Sequence, residues 1–375
     1  MTPGPIELTR DAARRLRLRT QGLVLPDGAG PGPSPVDVVR AMVALQGQDL
    51  PAVLRAIAVR CRPCTTLDDV RAAFDTGDLV RGWTQRGTLF ATTPGDLAAL
   101  VSLTGERMLR SGRRNRETEG LDDAVVNRAE AVAREALGTA GPGGGVSRAA
   151  MLDLWQESGV PVEGQRGYHL IVTLALRGVL HWGPFAGAQQ LMVTTPAAAV
   201  PAEEPDAVLR RVALSYFTSR GPATAEDLAW WLGLPKVPVR AAVSALREEH
   251  PDALVEVVAD ERVMLVGTGT RGPGRAAPWS GSDLESPAGV TLVPGFDEMV
   301  LGYQDRELIA DAEAMRTAVP FVNGTFRPAV LLDGRLVGTW RRAPRSGEAP
   351  FELVPGITPD AHAEVAAAVG AWPLG

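Results

Sequence analysis

The chain has 375 residues, 45% of them hydrophobic, with 38 basic and 44 acidic side chains giving a net charge of −6. That length suggests two or three domains with real cores. No apolar run approaches the roughly eighteen residues a membrane span needs, and no signal-peptide core opens the chain, so a cytoplasmic protein without a membrane partner is expected.

Along the chain, apolar spacing predicts helices over 9–24, 35–46, 50–60 and 67–75, then a β pair over 80–83 and 85–92. Three helices followed by a two-stranded wing is the order of a winged helix. Ser34, with Pro35 behind it and Asp37 three residues on, reads as a capped start, and Asp49 can cap the next helix with Pro51 in its first turn. Between these helices lies Gln46-Gly47-Gln48. Side chains two apart diverge by about 200° on a helix but share one side of an extended segment. The spacing therefore asks for a non-helical connector, with Gly47 free to take the angles of the joint. On residues alone it is either an ordinary polar turn or a pair of amides presented together.

Thr93 and Asp96 start a long connecting helix, and the Gly-rich run 138–145 closes the first unit. Ser147 caps a helix over 148–158, followed by a helix over 164–177 and a hairpin over 179–194. A linker over 196–205 leads to a third unit: a helix to Ser219, a short helix capped by Thr224 and Asp227 that carries Trp230 and Trp231, a helix over 236–249, and strands near 253–267. After a Gly/Pro-rich stretch over 267–288, alternating apolar residues predict strands in 290–302, 320–332 and 335–341. The expected domains are thus 1–137, 146–198, 205–268 and 285–375, an α+β chain of three tandem helix-plus-wing units and a C-terminal β domain.

Arginines cluster despite the acidic balance. Arg10, Arg14, Arg15, Arg17 and Arg19 crowd the first helix, Arg107, Arg110, Arg113, Arg114 and Arg116 a later segment, and Arg335, Arg341, Arg342 and Arg345 the C-terminal hairpins. Each cluster either follows a phosphate backbone with its guanidinium forks or forms a solvated face. Cys61 and Cys64 make a lone Cys-x-x-Cys, two thiols short of a thiolate zinc site, and His169, His181, His250 and His362 match no ligand spacing. No metal or cofactor is expected. Trp230 and Trp231 read as core packing, with one ring facing away from the other.

Five elements resemble the winged-helix DNA-binding superfamily that contains the AlkZ-like and YcaQ-like DNA glycosylases. Leu45-Gln46-Gly47-Gln48-Asp49 is similar to its LQxQD element, Arg86-Gly87-Thr88-Leu89-Phe90 to its RGT-L-H element, and the run from Gly221 to Trp231 to its GPAT-DxAWW helix-turn-helix. The segment from Leu292 to Arg306 resembles LLP-FD-LLGY-DR, and that from Val322 to Trp340 the terminal GxFRP hairpins. AlkZ-like members carry Gln-aliphatic-Gln where YcaQ-like relatives carry an acid at the last position, so Gln48 points to the AlkZ-like branch. Gly47 and Phe90 depart from the pattern, which has an aliphatic residue and His there.

The resemblance implies three tandem winged helices and a C-terminal β-barrel-like domain. It implies a monomeric, monofunctional glycosylase acting on double-stranded DNA that contains N7-alkylated purines, with bulky or crosslinked adducts ahead of small alkyl lesions, and a non-catalytic DNA-binding regulator as the alternative. Gln46 and Gln48 would position water, while Arg86, Thr88, Phe90, Arg14, Arg110 and Arg114 would contact DNA or the lesion. Asp297 and Arg306 would pair to fix the β domain against the first module.

Overall fold

The computed structural model describes residues 4–24, 32–141, 143–195, 203–268, 284–320, 324–342 and 347–374. Most of the linker expected over 196–205, most of the Gly/Pro-rich stretch 267–288, residues 322–323 and Arg345 lie outside the described residues. The chain folds as two compact units, one made of residues 1–67 with 209–375 and the other of 68–208.

In the first unit, Thr9 caps the helix Arg10–Thr20. Ser34 and Asp37 form a reciprocal capping box that starts the helix Pro35–Met42, and Asp49 accepts from the Ala52 amide to start Leu50–Ala58. The helix expected over 35–46 stops at Met42. Val43 takes a φ of 64° and Ala44–Gln46 run extended. Further on come the helices Pro205–Arg220, Ala225–Leu232 and Lys236–Glu249, then the antiparallel hairpin Leu254–Ala259 with Arg262–Gly267. Ile6–Glu7 adds to that hairpin as a parallel third strand. Ala13 and Leu16 of the first helix share a core with Val257, Met264 and Val266 of the hairpin, while Leu18 packs with Val293, Met299 and Leu336.

The C-terminal region of this unit is an open four-stranded antiparallel sheet, ordered Phe351–Leu353, Arg335–Trp340, Ala329–Leu332, Val290–Val293. The expected barrel is not closed among the described residues. Only residues 290–293 of the predicted first strand are extended, because Asp297 caps a helical turn at Glu298–Leu301. On one face of the sheet Val365 of the helix Pro359–Gly370 packs with Leu292, Val330, Val337 and Trp340.

In the second unit the hairpin Val80–Trp83 with Leu89–Thr92 joins the hairpin Leu180–Ala186 with Gln189–Thr194 through an Arg81–Trp182 register. The helices Pro94–Ser111, Asp123–Ala140, Arg148–Glu157 and Arg166–Leu176 accompany this sheet. Trp155 and Leu174 are fully buried in their shared core, and Trp155 donates its indole N–H to the Ala129 carbonyl at 2.9 Å. Leu89–Thr92 is shorter than the predicted strand because Arg86 and Gly87 both take positive φ, 55° and 70°, and the Thr88 amide donates back to Gln85. Two successive positive φ values are the mark of a tight hairpin turn.

Candidate active site

The glutamine connector is fixed from outside its own helices. After Met42 the helix leaves carbonyls without internal partners. Arg220 takes the last of them and one from the extended segment: its Nη1 donates to Met42 O at 2.9 Å and its Nη2 to Ala44 O at 2.6 Å. The same guanidinium donates twice to Glu298 Oε2, at 3.0 and 2.9 Å, and once to Ser219 Oγ. All five guanidinium N–H groups are thereby used. Glu298 turns its other oxygen to the connector, accepting the Gln46 amide N–H on Oε1 at 2.9 Å, while the Trp231 indole donates to Oε2 at 3.0 Å. Arg220 and Glu298 are 0% and 1% exposed as side chains.

The result is a short extended segment whose backbone is held at Met42, Ala44 and Gln46. Gln46 is 6% exposed, whereas Gln48 is exposed just before the helix that Asp49 caps. The far end of that helix is anchored by a second buried pair. Arg60 donates to both oxygens of Asp297 at 2.7 Å, and to Gln21 Oε1, Gln21 O and Ala56 O. Asp297 also caps the next turn through the Met299 amide. The ion-pair partner of Asp297 is therefore Arg60 and not Arg306. Arg306 donates to Val300 O and lies over the rings of Trp230 and Phe326, at 5.1 and 5.5 Å.

Aromatic groups complete the mounting. Gln21 donates to Tyr303 Oη, which donates to Arg220 O, and Tyr216 donates to Gly302 O. Burial pushes the Tyr303 hydroxyl up to about 12 and that of Tyr216 well above its usual range, so both stay neutral donors. A Cβ on Gly302 would meet Glu298 O at 2.6 Å and crowd Arg220 Cδ. Only a glycine leaves that space. Trp231 is fully buried beside Arg220 while Trp230 is half-buried under Arg306, so the adjacent rings face apart as predicted.

The arginines divide by their surroundings. Arg14 is 11% exposed and donates to Leu308 O and Asp11, with burial lowering its pKa. Arg17 is buried over the Tyr303 ring and donates to Pro222 O. Arg10 and Arg15 reach the carbonyls of Glu307 and Glu285. Arg10, Arg14, Arg15 and Arg17 of the first-helix cluster thus reach carbonyls within their own unit. Arg107, Arg110, Arg113 and Arg114 are exposed on Pro94–Ser111 and Arg113–Thr118, with Arg110 and Arg113 paired to Glu106 and Glu117.

In the second unit, Arg86 and Thr88 sit in the hairpin turn, where the Gly87 amide donates to Met108 Sδ. Phe90 is 0% exposed, its ring 5.6 Å from the Arg86 guanidinium. Sequence reasoning missed Glu298, Arg220 and Trp231 as partners of the connector. The sequence offered one signal for the mount: Trp231, Asp297 and Glu298 all lie inside elements already singled out.

Three similarities to known proteins bear on this geometry. A family model described as DNA glycosylase AlkZ-like matches residues 39–372. The interstrand DNA cross-link repair glycosylase of Streptomyces sahachiroi is 28% identical over 335 residues, covering 82% of either chain. The solved structure of Streptomyces sahachiroi DNA glycosylase AlkZ has the same fold, with a TM-score of 0.73 at 23% identity over 98% of this chain and 99% of that one.

Proposed function

The chain belongs to the AlkZ-like DNA glycosylase family, and from that premise we propose that it hydrolyses the N-glycosidic bond of N7-alkylated purines, with Gln46 and Gln48 placing the attacking water. Bulky or crosslinked adducts, of the kind left by a genotoxic metabolite of the host itself, are the proposed substrates. The name of the Streptomyces relative, an interstrand cross-link repair glycosylase, supports that choice. The three helix-then-hairpin runs are read as winged helices that carry the double-stranded DNA.

The observation that carries the proposal is the connector itself: a rigidly held extended segment with one amide almost buried and one exposed. An N7-alkylated purine already bears positive charge and leaves readily. In the hydrolysis, water adds to C1′ as the C1′–N9 bond breaks, the bonding pair neutralises the departing base, and a proton returns to solvent. A carboxamide oxygen can accept a hydrogen bond from the water and its NH₂ can orient a sugar or phosphate oxygen, but it is no strong base. Such a pair contributes placement and electrostatic stabilisation, which suffices only for an activated leaving group. A lyase step would need an amine nucleophile. Lys236, the single lysine, is exposed at the start of Lys236–Glu249, so a monofunctional hydrolase is the better fit.

The test is base release from duplexes carrying one N7-methylguanine or one bulky N7-alkylguanine, comparing wild type with Gln46→Ala/Gln48→Ala. Release by wild type alone is expected, with faster release of the bulky adduct. Equal release by the double variant would remove the glutamines from the mechanism, and preference for the methyl adduct would reverse the substrate assignment.

A further inference from the structure

The Arg220–Glu298 pair poses a question of purpose. Buried ion pairs contribute little net stability, since apolar side chains of similar volume often do as well or better. Filling space is therefore a weak reason for this one. Its hydrogen bonds suggest another. Of the bonds Arg220 and Glu298 make, three go to the backbone of the connector: Met42 O, Ala44 O and Gln46 N. Within that stretch Val43 holds φ 64° and ψ −50°. A β-branched residue occupies such angles only where its surroundings impose them. No apolar pair could grip two carbonyls and an amide at once.

We propose that Glu298 and Arg220 are positioning residues for the reaction, holding the backbone at Met42, Ala44 and Gln46 and thereby setting where Gln46 and Gln48 present their amides. The inference rests on the proposed role of the glutamines. Glu298 acts on Gln46 directly, through the backbone amide nitrogen of the residue whose side chain the proposal assigns to the water. Arg220 acts on the two carbonyls before it and, with Trp231, keeps the Glu298 carboxylate aimed.

Glu298→Asp keeps the charge, so Arg220 is not left as an unpaired buried cation, but the side chain is one methylene shorter and cannot span from Arg220 to the Gln46 N–H. Val365→Ala, in the core under the C-terminal sheet, serves as a control of comparable destabilisation. Hydrogen exchange over residues 42–50 is measured on the full chain without DNA. Single-turnover base release and duplex affinity are measured on the N7-methylguanine and bulky N7-alkylguanine duplexes.

In Glu298→Asp, the Gln46 amide is expected to exchange about tenfold faster, and the single-turnover rate constant to fall about tenfold or more, with duplex affinity held within about threefold. Val365→Ala should move neither exchange at 42–50 nor the rate constant. Unchanged exchange in Glu298→Asp would overturn the proposal, as would a rate loss no larger than that of Val365→Ala. Should Glu298→Asp not fold, Arg220→Lys keeps the charge but cannot reach both carbonyls, and the same two readouts apply. If wild type releases neither base, the glycosylase reading fails by itself, and exchange at 42–50 still decides whether the pair holds the connector.

Discussion

Arg60→Met should unfold the first unit at markedly lower denaturant, because it strips a fully buried carboxylate of its partner. Arg60 and Asp297 are 1% and 0% exposed, and the Arg60 guanidinium spends all five donors, two of them on Asp297 at 2.7 Å. Methionine matches the length of the stem but returns none of these bonds. Asp297 would keep only the Met299 amide. Breaking one side of a buried pair costs about 3–5 kcal/mol, largely the penalty of the charge left behind. Asp297→Asn should cost a similar amount from the opposite side. The double variant Arg60→Met/Asp297→Asn removes both charges and should cost less than the sum, with a coupling of about 2 kcal/mol. A urea titration followed by hydrogen exchange on peptides of residues 1–67 and 209–375 reads this unit by itself, which matters because a chain of two units need not melt in one step. A loss under about 1 kcal/mol for Arg60→Met, or additivity of the two substitutions within about 0.5 kcal/mol, would refute the reasoning.

Other consequences are as direct. Burial lowers the His181 pKa from 6.5 to about 4, so above pH 6.5 its titration adds no pH dependence to stability. As pH falls toward 4 the unfolded chain takes a proton that the folded unit refuses, and up to about 3 kcal/mol is lost; the stability difference between wild type and His181→Gln in pH-dependent melts should change only across that window. At Val43, glycine should be at least as stable as alanine in a urea titration, reversing the usual deficit of about 0.5–1 kcal/mol for glycine, because only glycine accepts a φ of 64° without strain. Arg110→Ala and Arg114→Ala should each reduce the slope of log affinity against log salt by about 0.9 if their exposed guanidinium groups meet phosphates; an unchanged slope would make them a solvated helix face.

Where a structural feature is local, the sequence announces it. Ser34 with Asp37 and Thr224 with Asp227 are capping boxes within four residues, and the helix Lys236–Glu249 begins and ends where spacing places it. The connector was legible as non-helical for the same reason. The end of the preceding helix was not. Met42 and Ala44 give their carbonyls to a guanidinium more than 170 positions away, and Gln46 gives its amide to a carboxylate 252 positions away. No window of local propensity contains such partners. The hairpin turn at Arg86 was missed because a non-glycine residue at positive φ leaves little trace in composition. Arginine clustering left its readings open for a related reason: a run of guanidinium groups looks the same in sequence whether it is exposed, as Arg107, Arg110, Arg113 and Arg114 are, or reaches carbonyls and a tyrosine ring, as Arg14 and Arg17 do.

The adjacent carboxylates Asp297 and Glu298 allow stability and alignment to be separated. Asp297 is the extended N-cap of the turn Glu298–Leu301 and Glu298 its first helical residue, so their side chains diverge. Asp297 takes Arg60, beyond the end of Leu50–Ala58, and Glu298 takes Arg220 and the Gln46 amide. One dipeptide thus holds both ends of the module that carries the glutamines, but only one of its members touches the connector. Asp297→Asn should therefore lower stability more than Glu298→Asp does, since it leaves a buried cation without a counter-charge. Glu298→Asp should be the variant that frees the Gln46 amide to exchange. Measured below the unfolding transition, rapid Gln46 exchange in both variants would mean that the connector simply follows the stability of its unit, and the division of labour between the two carboxylates would be wrong.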